Sequence, residues 1–296
     1  MQSDAPRMLY KFSGATDYAL QNLERGVIFC QHYSAYNDPF EFWGRILEGI
    51  PDAKSEANRF KVAKEAWGCD WMSPEDEDLI EYFAACESEQ PSFHHWRDIT
   101  RIACFGSDPK NLLMWSHYAD GLRGLCLVLD ETELLEASPR STFSVNVAYQ
   151  AEPPTADAFV YAVANDQMDY HLLSIEDAES RAKHLGEPGP SWLEEYREVA
   201  GNSYVAKIEI LQKVFATKPV EWAYEAEKRL LVRAEASDAS PVFHKYPKAA
   251  LKGVLIGERT PNDYRRRLEQ VVSSHYGHAY VKSIRRSSSS YSLKIG

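Results

Sequence analysis

Short apolar runs of β type recur along the chain, and long polar helical stretches separate them. The runs are 8-MLYKF-12, 27-VIFC-30, 101-RIACFGS-107, 124-GLCLVLD-130, 143-FSVNVAY-149, 228-KRLLVRA-234, 253-GVLIG-257 and 279-AYVKSI-284. In the fifth, Phe143, Val145, Val147 and Tyr149 alternate with other residues, the period of a half-buried strand. Thr16 or Asp17 can cap a helix over 17–25, with Gly26 as its C-terminal stop. Helices are also expected at about 53–67, from Ser73-Pro74-Glu75 onward, at 111–121, at about 204–215 and over 261–274. The pattern predicts one α+β domain over 8–285 with a mixed or antiparallel β core. Helical insertions fall at about 52–100 and 155–200, the second broken at 186-GEPGP-190, and 286–296 reads as a tail.

A chain of 296 residues can bury a sizeable core. Its net charge of −11 argues against a general electrostatic grip on nucleic acid, although it leaves room for a small local groove. Two basic segments stand out, 265-RRRLEQ-270 and the Ser-rich 282-KSIRRSSSSYSLK-294. The first reads as a solvated helix face. None of the 5 cysteines forms a C-x-x-C pair, and no His joins them at metal-ligand spacing. Free thiols in a reducing cytosol account for them. The N-terminal sequence lacks an apolar signal core, and no apolar run approaches the ~18 residues of a membrane span. A cytoplasmic protein without membrane contact is expected.

Three islands are rich in chemistry-bearing residues: Tyr10-Lys11 with 37-NDPFE-41, then 114-MWSHYA-119, then Trp222, Tyr224, Glu225, Glu227 and Arg229. Each lies at or beside an expected strand end, where sites tend to be built. Glu225 and Glu227 are two apart, so an extended strand would point both carboxylates to one face. Plainer roles fit the same residues. Glu227 and Arg229 could be a salt bridge on a strand, His117 a core histidine, Trp115 and Tyr118 core aromatics, and NDPFE a capped turn.

The series LYKF, NDPFE, CF-x-S, MWSHYADGLRGLC and K-x-x-x-W-x-YE-x-E-x-RL resembles the bacterial domain-of-unknown-function family 2971, from Leu9 to about Gly257. Two positions depart from that family's pattern: Lys228 stands where a Trp is usual, and Gly106 precedes Ser107. A more distant likeness links the opening strand–helix–strand to ADP-ribosyltransferase domains. It implies NAD as co-substrate and an acceptor that is a protein or nucleic acid, in the setting of a toxin or phage-defence effector. It also implies Lys11 against the dinucleotide, with Tyr10, Asn37, Asp38, His117 and Arg229 beside it. Trp115 or Tyr118 would stack on nicotinamide. Glu227 would face the scissile bond with Glu225 in support, because a carboxylate stabilises an oxocarbenium-like state. Two rival readings use the same cleft: a hydrolase or nuclease holding Mg²⁺ or Mn²⁺ through Asp38, Glu41, Glu225 and Glu227, and a non-catalytic nucleotide-binding module. Every version expects Lys11, Asn37, Trp115, His117 and Glu227 to line one cleft.

Overall fold

The structure, a computed structural model, describes residues 7–139, 141–186, 189–235 and 237–296. The chain opens with β1 (Met8–Ser13), α1 (Asp17–Arg25) and β2 (Val27–His32). Next come β3 (Arg45–Leu47), α2 (Ala57–Trp67), α3 (Glu77–Ser88), α4 (Phe93–Ile99), β4 (Thr100–Gly106) and α5 (Leu112–His117). These lead to β5 (Leu125–Asp130), α6 (Glu131–Glu136), β6 (Phe143–Asn146), β7 (Ala148–Gln150) and β8 (Thr155–Asp157). Two long helices, α7 (Ala158–Leu185) and α8 (Leu193–Phe215), precede β9 (Thr217–Pro219) and a 3₁₀ turn, Val220–Glu225. The chain closes with β10 (Glu227–Arg233), β11 (Val242–Lys245), β12 (Leu251–Gly257), α9 (Asn262–His275), β13 (Tyr280–Arg286) and β14 (Leu293–Ile295).

The fold is α+β. The chain divides into two compact units. One comprises the described parts of Met1–Glu41, Asp98–Ala151 and Lys218–Gly296, and the other Phe42–Arg97 and Glu152–Thr217. The two stretches expected as helical insertions, with residues 201–215 beyond the second, supply the helices of the second unit. There α7 and α8 pair, and aromatic side chains fill the core. Phe83 meets Phe159 at 5.0 Å and Phe60 at 5.7 Å between ring centres, while Phe93 meets Tyr161 at 5.4 Å. Arg59 ties this unit's β8 to α2 through Asp157, with Nε–Oδ2 at 2.5 Å.

In the first unit ten strands join one mixed sheet. Its order is β11-β2-β4-β1-β5-β12-β13-β14, with β10 between β4 and β6. Only β12 and β13 pair parallel among the registers of this sheet. β4 is the pivot: β10 follows its whole length, β2 takes its start at Ile102 and Arg101, and β1 its end at Gly106. One sheet face buries Leu9, Ile28, Ala103, Phe105, Leu230 and Val254 beneath α1 and α9. The opposite face carries α5 on Phe12, Cys126, Val128 and Leu255.

Several local signals hold. Thr16 caps α1 by accepting the Ala19 amide at 3.2 Å, and Gly26 ends it at φ 65°. Others yield to packing or to a better cap. Asp76, not Ser73, caps α3. The run 143–149 is two strands, β6 and β7, instead of one. Helical positions 193–215 form one continuous α8. The expected break at 186-GEPGP-190 falls partly on residues 187 and 188, which lie outside the described residues. β11 lacks a recognisable run, and β14 lies in the segment read as a tail, where it pairs with β13.

Trp115 belongs to the core. It is fully buried, its Nε1 donates to the Pro109 carbonyl at 2.7 Å, and its ring meets Phe12 edge-on at 5.5 Å. It therefore offers no surface for a stacked ring, contrary to its expected place as a shelf. The turn after α5 is fixed by close backbone approach. A Cβ on Gly257 would stand 2.1 Å from the Leu122 carbonyl, and one on Gly124 2.0 Å from that of Ser13. Trp115→Ala should cost about 3–5 kcal/mol of stability, the usual loss for a buried aromatic, read as a lowered urea midpoint.

Candidate functional site

The register of β10 against β4 sets the site. Glu227 aligns with Gly106 and Arg229 with Cys104, so both project to the α5 face, while Leu230 and Val232 fill the opposite core. Arg229 is completely buried. Its guanidinium meets Glu41 in two parallel bonds, Nη1–Oε1 at 2.6 Å and Nη2–Oε2 at 2.8 Å. Its Nε donates to Glu227 Oε1 at 2.9 Å. This fork geometry is what a guanidinium, unlike an ammonium, can supply.

Glu225 reaches the same place by another route. It ends the 3₁₀ turn, and Ala226 then takes φ 42°, ψ 52°, a left-handed conformation. Such a residue costs roughly 1–2 kcal/mol when it carries a Cβ. The turn, not strand alternation, brings the two carboxylates together. They share the Lys218 ammonium, whose Nζ lies 2.8 Å from Glu225 Oε2 and 2.6 Å from Glu227 Oε2. The Trp222 ring lies 5.4 Å from the same Nζ. The Tyr118 hydroxyl donates to Glu225 Oε1. One chain of contacts thus runs Glu41, Arg229, Glu227, Lys218, Glu225, Tyr118. The first five are buried, and Tyr118 is 36% exposed.

Electrostatics follow from this pairing. Burial raises the Glu227 carboxyl, but Arg229 and Lys218 outweigh burial and hold it down at about 2. Burial pushes the Glu41 carboxyl up, with Arg229 opposing; the two parallel bonds to Arg229 mark it as ionised. Burial works against the charge on Lys218, yet the carboxylates, Glu227 first, lift it above the ordinary lysine range. Burial, then the bond to Glu225, raises the Tyr118 hydroxyl. Tyr149 accepts the Glu227 amide at 2.8 Å and is raised to about 12, mainly by burial.

The expected site residues are only partly brought together. Glu225, Glu227, Arg229 and Tyr118 are in the network. His117 is exposed at the end of α5, its ring 5.9 Å from that of Tyr224. Tyr10 shares the α5 face and aligns with Gly106, two strand spacings from Glu227, ~10 Å. Lys11 does not join them: alternation along β1 turns it to the other face, 5.6 Å over the Phe105 ring, with Nζ donating to the Cys104 carbonyl at 3.2 Å. The single cleft containing both Lys11 and Glu227 is therefore absent. Asn37 is exposed, and buried Asp38 accepts the Phe40 amide at 2.9 Å, the capped-turn role. Arg229 is wholly engaged by carboxylates and meets no solvent. Lys218 was missed, although it stands at the head of K-x-x-x-W-x-YE. Asn111, whose Nδ2 donates to the Tyr224 carbonyl at 2.6 Å, fastens this turn to α5.

The metal-centred alternative meets an obstacle here. The oxygens of Glu41, Glu225 and Glu227 already face Arg229 or Lys218 nitrogens or the Tyr118 hydroxyl. Among the described residues no cluster of three or more His, Cys, Asp or Glu is arranged to hold a metal ion.

The segment that carries α5 and this turn also carries a family signature. Residues 114–230 match the family model DUF2971, described as a protein of unknown function. No curated protein and no solved structure matches the chain. The DUF2971 segment contains Tyr118, Lys218, Glu225, Glu227 and Arg229, whereas Glu41 and the β1 residues lie outside it. It is shorter than the span from Leu9 to Gly257 over which the motifs suggest a resemblance. No described helix is long and apolar enough to cross a membrane.

Two outcomes test this electrostatic picture. Arg229→Met strands Glu41 and Glu227 in the interior and should destabilise the protein by about 3–5 kcal/mol, the cost of breaking a buried pair, measured by urea unfolding. The second concerns pH. The Glu227 carboxyl sits at about 2 when folded against an ordinary 4.5, so its contribution is complete above 4.5 and drains away as pH falls toward 2. Glu41, raised by burial, acts in the opposite sense. Comparing the parent with Glu227→Gln isolates the Glu227 part: the acid-side loss of stability should be shallower in the variant.

Proposed function

We propose that this site cleaves the N-glycosidic bond of a nucleotide in an ADP-ribosyl-transfer type of reaction, with NAD as the substrate. The observation that carries the reading is the pair of carboxylates locked on Lys218, one of which, Glu225, touches the half-exposed Tyr118. Glu225 is the carboxylate that touches a partly exposed side chain, Tyr118. Glu225 faces the ribose, and Glu227, pinned by Arg229 and Lys218, holds the pair rigid from behind. This reverses the roles that the resemblance to ADP-ribosyltransferase domains implies.

The chemistry asks for fixed negative charge next to a sugar carbon that becomes cationic as the nicotinamide leaves. Three carboxylates against two cations leave this buried cluster one negative charge in excess. A preorganised anion of this kind stabilises the cationic transition state more than the ground state. The His117 and Trp222 rings flank that of Tyr224, the residue before Glu225, and supply planar surface for the leaving base. Glu225 is only 2% exposed, so Tyr118 must swing aside to admit substrate. Lys218 and Arg229 are committed to carboxylates, and the pyrophosphate draws its partners from elsewhere.

The test compares NAD consumption and label transfer in the parent, Glu225→Gln and Glu227→Gln. Glu225→Gln should lose about 10²-fold or more in rate, the scale for removing one key electrostatic group, measured below its own melting temperature. Glu227→Gln should lose both activity and stability. A parent protein that leaves NAD intact, or a fully active Glu225→Gln, overturns the reading. NAD binding without turnover would place the cluster in a binding module.

A further inference from the structure

β11 is the outermost strand at one end of the large sheet and pairs only with β2. The Tyr246 amide donates to the Gly26 carbonyl at 3.0 Å, in step with the register of Lys245 on Val27. Hydrogen-bonded pairs alternate along an antiparallel ladder. Val242 and His244 therefore bond to β2, and the amides and carbonyls of Phe243 and Lys245 face outward. Among the described residues no hydrogen bond reaches those outward groups. The strand is held from its other sides. Arg101 Nε donates to the Ser240 carbonyl at 2.6 Å just before it, and the buried His244 has Nε2 2.9 Å from Ser138 Oγ. An edge preorganised in this way loses little freedom when a further strand is added.

The side chains beside that edge form one patch. Phe243 stands directly opposite Phe29, their ring centres 5.5 Å apart, and the two are 43% and 37% exposed. The Arg25 guanidinium lies over the Phe243 ring at 5.2 Å. Lys245, two residues after Phe243, shares its face and is exposed. Neither Arg25 nor Lys245 is paired with a carboxylate among the described residues, in a chain with 44 acidic side chains against 33 basic ones.

We propose that β11 takes up an extended acidic segment of a partner protein as a further strand of the sheet. The segment's backbone pairs with Phe243 and Lys245, and its carboxylates on the Phe29–Phe243 face meet Arg25 and Lys245. Charge decides between occupants. A second copy pairing through the same edge would gather Arg25 and Lys245 from both chains, and an edge lysine discourages such self-pairing. A nucleic acid strand offers phosphates but no row of amides and carbonyls for the edge. The inference is independent of the glycosidic reading above, since it uses none of the Tyr118–Glu225 network.

Fluorescence anisotropy with a labelled peptide of alternating Glu and Val tests it on the full chain. The peptide should bind at low salt. An alternating Lys and Val peptide, the Glu and Val peptide N-methylated along its backbone, and oligo-dT should each displace it poorly. Lys245→Ala should weaken binding about two- to fivefold, the worth of one exposed ion pair. Lys245→Pro also removes an outward amide that β2 does not use. It should weaken binding about two- to tenfold beyond Lys245→Ala, as loss of one hydrogen bond does. Phe243→Ala, a surface change that keeps the ladder, should weaken binding too. Unchanged melting confirms folding, and the two alanine variants decide the matter if the proline variant unfolds. Absence of peptide binding at low salt overturns the proposal. So does equal competition by the N-methylated peptide or oligo-dT, or binding indifferent to the changes at Lys245 and Phe243. A parent dimer in sedimentation that Lys245→Pro dissociates assigns the edge to a second copy and equally overturns it.

Discussion

The Arg229 guanidinium is the interaction on which the α5 face of the β-rich unit depends. A fully buried guanidinium keeps its charge and is tolerable only when its donors are met by anions in good geometry. Glu41 and Glu227 meet that demand from 188 and 2 positions away in sequence. The loop after β2 must therefore close over β10, and the start of β10 must hold its register with β4. A one-residue slip would turn Arg229 to the opposite face, among Leu9, Phe105 and Leu230 and away from Glu41.

From that anchor the polar contacts run outward. Glu227 is shared between Arg229 and Lys218, Lys218 between Glu227 and Glu225, and Glu225 between Lys218 and Tyr118. Each member limits the freedom of the next, so the rigidity of the interior reaches the half-exposed tyrosine. The left-handed Ala226 fits this arrangement. Its strain persists because ion pairs on both flanking glutamates over-determine the turn, and strained backbone held in that way tends to mark functional sites. The carboxylate pair on Lys218, with Glu225 touching Tyr118, carries the glycosidic reading.

The reach of sequence reasoning shows in particular residues. Thr16 and Gly26 act locally, so their capping roles were legible from neighbours alone. The apolar runs gave most strands within a residue or two. β3, β8, β9, β11 and β14 escaped because each is short and draws its order from a partner strand. Period-two alternation in 143–149 is unbroken as a string, yet the strand divides at Val147, whose amide bonds the Glu227 carbonyl.

The site divides along the same line. The sequence by itself determined that Lys218, Tyr224, Glu225, Glu227 and Arg229 fall within one short segment, and that Glu227 and Arg229 share a strand face, because β periodicity is a local property. Tertiary structure decided which side of the sheet that face meets, and so separated Lys11 from Glu227 although both belong to recognisable motifs. It put Trp115 in the core, where Phe12 covers it, and left Tyr118 at the surface three residues later. It also chose Lys218 as the shared cation and Glu41 as the distant partner of Arg229. Such choices rest on pairings between strands and loops far apart in the chain, and desolvated charges find their partners only once those pairings exist.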